Sequence, residues 1–208
     1  LVFGLLAPAV TRSIYWIEDL FEKIPCHWMW WPAIGGLVVG AVGLAKPETL
    51  GVGYYNITEA LNGNLANSAL IALVFWKFIS WSVALGSGTS GGTLAPIMTL
   101  GSGLGLLIGR ISLLFVPELG IDLHVSALIG MAALFTGCSH ALLASVVFAV
   151  EATKQPIGLV PLLGSCAVAY LVATLAAPHS IMTEKIIRRG TPVPHEYFPE
   201  GTFNESHQ

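Results

Sequence analysis

The sequence holds 208 residues, 54% of them hydrophobic and 10% charged, with a formal net charge of -3. Soluble domains carry roughly 25% charged residues, so these few charges could not clothe a water-facing surface, and the mildly acidic balance excludes the basic footprint of a nucleic-acid binder. What remains is an integral membrane protein, its outer face against hydrocarbon, in keeping with a mean hydropathy of +0.75.

The predicted elements run unevenly along the chain. Residues 1–17 are amphipathic and turn charged at Glu18, Asp19, Glu22 and Lys23. The chain opens inside this apolar run, at Leu1 and with no signal-peptide pattern, as a fragment with an upstream part missing is expected to do. Trp28, Trp30 and Trp31 precede an apolar segment at 30–45, where interfacial aromatics belong. A polar Asn/Gly-rich connection at 47–67 leaves room for a short helix at 57–62. Segment 68–85 has full spanning length and one charge, Lys77. Segment 92–116 follows, then a loop at 117–124, then segments 125–137, 140–153 and 157–176, a short basic helix at 180–190, and a polar tail at 191–208.

Crossing a core of about 30 Å takes about 20 helical residues. Segments 30–45, 125–137 and 140–153 are too short, and tilt only demands more length. Half-helices that end inside the membrane answer this. Their unpaired backbone groups are tolerated only in protein or around a polar cavity, so such segments point to an ion or substrate site. Gly36 and Gly40, and Gly101, Gly105 and Gly109, stand at the four-residue spacing that lets helices approach closely. Lys185, Arg188 and Arg189 after the last span place that end in the cytoplasm by the positive-inside tendency.

The stretch GSGTSGGTLAPIMTLG, residues 86–101, is the most informative. Gly86, Gly88 and Gly91 form a GxGxxG, but a dinucleotide site needs a strand before it and an acid about 20 residues on; an apolar span precedes it and the next acid is Glu118. Gly88, Ser90 and Gly92 form a GxSxG, but a nucleophile elbow also needs a strand, then an acid and a histidine; Asp122 and His124 crowd into one loop. The remaining reading uses the backbone. A helix starting near Thr93 offers unpaired N–H groups and a partial positive charge. Gly91 and Gly92 permit close approach and unusual dihedrals, and Pro96 is tolerated in a first turn. Such a site holds an anion firmly enough to enter and weakly enough to leave.

Here the sequence resembles the CLC family of chloride channels and chloride/proton exchangers. Gly91, Gly92, Thr93, Leu94, Ala95 and Pro96 resemble its GxFxP anion-filter motif at the start of a half-helix. Residues 130–153 resemble the paired helices after the filter, ending near Glu151, and residues 180–190 the last pore helix, which reaches back to the anion. The resemblance covers about residues 1–190. It implies an all-α polytopic membrane protein, the second half of an inverted-repeat pore with short re-entrant half-helices, and a homodimer of the complete protein. It further implies transport of chloride or a similar anion with no chemical transformation and no cofactor. The family's first filter motif and its gating and proton-path glutamates would lie upstream. Two positions depart from its pattern: Leu94 stands for the usual Phe, a mild change where the contact is a backbone N–H. Met182 stands for the usual Tyr, and a thioether accepts weakly and donates nothing.

Other residues read as structural: Arg110 as a pairing or interfacial group, Glu151 as a segment-end residue before Lys154, His124, His140 and His179 as ordinary loop or helix-start histidines. Lys77 is a buried or snorkelling cation that could also serve the anion path. Cys26, Cys138 and Cys166 lack metal-ligand spacing and read as buried thiols. Asn56 and Thr58 form a glycosylation sequon. Two alternatives stand beside anion transport: a membrane-embedded hydrolase using Ser90 or Glu151, and a different half-helix transporter of a carboxylate or cation.

Overall fold

The computed structural model describes residues 1–51, 53–63, 65–89, 91–153, 158–188 and 190. Among them it forms helices and turns and no strand. The helices are α1 (Val2–Glu22), α2 (Trp31–Ala45), α3 (Tyr54–Leu61), α4 (Asn67–Gly86), α5 (Leu94–Phe115), α6 (Leu123–Ser139), α7 (Leu142–Thr153), α8 (Leu159–Ala176) and α9 (Ile181–Arg188). The tail at 191–208, Ser90, Lys154 and Arg189 lie outside the described residues.

Among the described residues, four stretches are long and apolar enough to cross a membrane: Trp28–Ala45, Asn67–Gly86, Leu94–Phe115 and Leu159–Arg188. The expected short segment at 30–45 therefore gains a turn. A 3-10 turn at Trp28–Trp30, capped by the His27 ring, runs straight into α2 and brings it to 18 residues. The shorter apolar helices are α6, of 17 residues, and α7, of 12. α5, which carries the filter-like residues at its start, has 22 residues and so runs about 33 Å.

α6 is the core of the molecule. Its buried residues lie on every side, from Ala127 through Cys138, as expected of a helix apolar all round. α1, α3, α5, α7 and α8 pack around it. The tightest crossing is with α5, made by glycine. A Cβ on Gly101 would fall 2.6 Å from the Gly130 carbonyl oxygen, one on Gly109 2.7 Å from Ser126 Cβ, and one on Gly130 2.6 Å from Gly105 Cα. These two backbones touch without intervening side chains, the close approach that substitutes for hydrophobic driving force in lipid. α1 and α8 meet α6 through small residues too. A Cβ on Gly137 would lie 2.6 Å from Ala7 Cβ and 3.5 Å from Ala173 Cβ.

The other glycine pair behaves differently. Nothing stands within 4 Å of a Cβ built on Gly36 or Gly40. α2 packs on its neighbours instead through Gly35, against Ser87, and Gly43, against Leu50. The expected close-packing step at 36 and 40 is thus turned away from the rest of the described chain.

α6 and α7 are joined by only two residues, and His140 adopts the left-handed conformation (φ 58°) that closes α6. The sequence reading placed His140 at the start of a helix; it is the stop of the preceding one. Its amide donates to the Thr136 carbonyl at 2.8 Å, and its ring packs edge-on against Tyr170.

Candidate functional site: the N-terminus of α5

The segment between α4 and α5 is built by helix-end chemistry. Ser87 closes α4, its amide donating to the Val83 carbonyl at 2.9 Å and its buried hydroxyl bonding to the Ala84 carbonyl at 2.8 Å and to the Thr89 hydroxyl at 3.0 Å. Gly88 then takes φ +82° and donates to the Leu85 carbonyl at 3.1 Å, the left-handed stop that glycine adopts without steric cost. The unusual dihedral expected at Gly91 or Gly92 therefore sits at Gly88; neither of the two later glycines has a positive φ.

Gly91 and Gly92 supply room. A Cβ at Gly91 would make only an ordinary contact with Leu85, at 3.5 Å, and one at Gly92 would meet nothing within 4 Å. Thr93 is the N-cap, with no side-chain cap hydrogen bond, and Leu94 begins the helix, 46% exposed. The first turn is thus left uncapped by protein. The Ile97 amide reaches the Thr93 carbonyl at 3.3 Å, Pro96 has no N–H, and among the described hydrogen bonds the amides of Leu94 and Ala95 donate to nothing. Below this turn the helix is sealed: Ile97, Met98, Thr99 and Leu100 are buried, and the Thr99 hydroxyl donates to the Ala95 carbonyl at 2.9 Å. The result is a fixed, uncapped helix start carrying about half a positive charge beside space free of side chains.

Residues 91 and 92 and Thr93, Leu94, Ala95 and Pro96 are therefore gathered at one helix start. Met182 lies on α9, half exposed beside the buried Ile181. α9 touches α6 and is tied to α1. The Tyr15 hydroxyl donates to the Ile181 carbonyl, and Arg188 pairs with Asp19 at 2.6 Å and stacks 4.5 Å above the Tyr15 ring.

Several competing readings lose their structural support. Residues preceding Gly86 and Gly88 form α4, a helix, where a dinucleotide or elbow motif needs a strand. Asp122 caps α6, accepting from the His124 amide at 2.8 Å, and the His124 ring Nδ1 faces the Leu61 carbonyl, so both are engaged in joining α6 to its surroundings. Glu151 is exposed near the end of α7. The sequon is not a loop: Asn56 is buried in α3 and its side-chain nitrogen donates to the Glu48 carbonyl at 2.6 Å. Cys138 and Cys166 are buried free thiols, whereas Cys26, expected to be buried, is exposed in the turn after α1. Among the described residues no group of three or more His, Cys, Asp or Glu could hold a metal ion. Arg110 finds neutral partners, the Asn67 side chain and the Gly63 carbonyl, the latter at 2.9 Å.

Sequence reasoning missed Gly88 as the stop that aims the segment, although Ser-Gly after an apolar run signals a helix end. It also left the role of Lys77 open. This side chain is buried in α4, and its ammonium donates to the carbonyls of Thr49 at 2.9 Å and Gly51 at 2.8 Å.

An all-helical bundle with several helices apolar and long enough to cross a membrane defines a class, a polytopic membrane protein. Comparison with known proteins gives the family. The voltage gated chloride channel family model matches residues 1–174, and the chain belongs to this family, the CLC proteins. It is 29% identical over 177 residues to the H(+)/Cl(-) exchange transporter ClcA of Klebsiella pneumoniae subsp. pneumoniae, covering 83% of this chain and 38% of that protein. Against ClcA of Salmonella arizonae the identity is 28% over 178 residues, covering 83% and 37%. Among solved structures, a slow cyanobacterial Cl-/H+ antiporter superposes with a TM-score of 0.79 at 26% identity, over 90% of this chain and 44% of that one. A CLC-type fluoride/proton antiporter superposes with a TM-score of 0.66 at 20% identity, over 86% and 42%, a likeness of fold. The chain thus spans less than half the length of the relatives it matches. It is a multi-pass integral membrane protein, and the relatives are transporters by name.

Proposed function

We propose that this chain forms part of a transmembrane pathway for chloride or a similar small anion, which binds at the backbone amides of Thr93 and Leu94. The observation that carries this reading is the uncapped first turn of α5 beside open space at Gly92. An anion there completes the hydrogen bonding of the helix start and is favoured by its dipole, and no side-chain cation is needed to hold it. Gly91, Gly92, Ala95 and Pro96 shape the approach, and Met182 on α9 belongs to the same pathway. Nothing is chemically transformed and no cofactor takes part.

Proton-coupled exchange is the favoured mode, because both ClcA relatives and the TM-score 0.79 neighbour bear exchanger or antiporter names. The assembly is a homodimer of the complete protein, residues 1–190 belong to the pore domain, and residues 191–208 are a polar tail with the C-terminus in the cytoplasm. Met182 offers the anion no hydrogen bond where a tyrosine hydroxyl would donate one, which loosens the inner side of the site. The test is reconstitution of the full-length protein in liposomes under a chloride gradient. Chloride efflux with stoichiometric proton countermovement is expected; efflux without it makes the protein a channel, and absence of any anion flux overturns the reading. The same vesicles loaded with nitrate or fluoride rank the anions.

A further inference from the structure

Lys77 stands apart from the other described cations. It is 4% exposed, lies in the middle of a spanning helix, and among the described residues belongs to no ion pair. Both its recorded partners are neutral carbonyls, those of Thr49 and Gly51. An ammonium carried into hydrocarbon is expensive and marks function unless something nearby uses the charge. A lysine needed only to tie a loop could be replaced at less cost by a neutral donor, so the retained charge calls for a use.

Its position supplies one. Gly53, held at φ +90°, lies in the loop that Lys77 ties down. A Cβ on Gly53 would stand 2.8 Å from Thr99 Oγ1 and 3.6 Å from Lys77 Nζ. The ammonium and the Thr99 hydroxyl thus border the same small space, which only a glycine leaves open. Thr99 in turn donates to the carbonyl of Ala95 in the first turn of α5. Thr99 follows Leu94 by five residues, about 7.5 Å along the axis. The ammonium lies beyond Thr99, so its charge stands on the order of 10 Å from the helix start, near enough in a poorly screened interior to be felt there.

We propose that Lys77 is a positioning residue for anion transport: it staples the loop at Thr49 and Gly51 under α5 and adds a fixed positive potential to the anion site at the helix start. This rests on the reading of the α5 N-terminus as that site. The arrangement keeps the cation out of direct contact, so it raises the site's attraction without trapping the ion. The lysine does not touch the anion.

Chloride binding to the purified full-length protein, measured by calorimetry, tests this. Lys77→Gln removes the charge and keeps a hydrogen-bond donor; its chloride affinity should fall roughly tenfold, while Lys77→Arg should stay close to wild type. Equal affinity in Lys77→Gln and wild type, with both folded by thermal melt, overturns the proposal. If Lys77→Gln does not fold, 6-hydroxynorleucine at position 77 decides. This neutral analogue of lysine keeps the chain length and a donor for the loop carbonyls and drops only the charge; affinity should fall as much, and unchanged affinity there also overturns the proposal. Failure of the underlying reading has a separate signature: Gly92→Val would then leave wild-type chloride binding untouched, whatever the Lys77 variants do.

Discussion

Two glycine-rich regions of one helix system serve opposite ends. In the approach to α5, Gly91 and Gly92 border space, and a side chain at Gly92 would meet nothing within 4 Å. Two turns further on, Gly101, Gly105 and Gly109 leave no space at all, because α6 presses its backbone against the first two and the Ser126 side chain against the third. The first region leaves room beside a helix start. The second is small so that the helix behind it cannot move. An anion site made of amides depends on both: its donors carry no side-chain reach to compensate for displacement, so the helix that holds them has to be fixed by its packing.

Substitutions that separate these roles should have very different sizes. Gly105→Val and Gly130→Val force a branched side chain into backbone, beyond the usual overpacking cost of about 1–3 kcal/mol; loss of folded protein on size-exclusion chromatography is expected. Gly92→Val should fold with stability within about 1 kcal/mol of wild type, since its site is open. Its anion flux should fall at least tenfold, by occlusion. If Gly92→Val also unfolds the protein, the contrast between the regions is lost. Gly88→Ala, at a left-handed stop, should cost about 1–2 kcal/mol, read in thermal melts, with a smaller effect on binding. Met182→Tyr adds a hydroxyl donor and should tighten anion binding severalfold; unchanged affinity in calorimetry would argue against Met182 as a pathway residue. Gly36→Ala, smallest of all, should leave stability unchanged or raise it by up to about 1 kcal/mol, because the helical position is open and alanine is the better helix former.

Much of this was legible in the chain itself. The low charge and long apolar runs dictated a membrane helix bundle, and the sequence around Thr93 announced a helix start with no side chain able to fill it. What could not be read was which glycines would be packed and which bare. Gly36 and Gly40 share the four-residue spacing of Gly101 and Gly105, yet one pair faces outward and the other meets α6, since spacing specifies a stripe and not its partner. Gly88 hid among six glycines between residues 86 and 103, each able to take the positive φ that only it adopts there. His140 hid for the opposite reason. A positive φ is uncommon outside glycine, though histidine is among the residues that take it more readily, and here it falls in the two-residue link between α6 and α7. Lys77 was conspicuous as a charge, but its partners sit 26 and 28 residues away, a distance no local pattern conveys.

The central claim is that a backbone N–H, and no side chain, binds the anion. Replacing Leu94 with its α-hydroxy acid counterpart, leucic acid, converts that one amide to an ester. The side chain, the helix and the approach through Gly92 all remain. A hydrogen bond to a charged group contributes about 1.5–3 kcal/mol, so chloride affinity measured by calorimetry on the full-length protein should fall roughly tenfold to a hundredfold. An ester variant that folds and binds chloride as tightly as wild type would contradict the account.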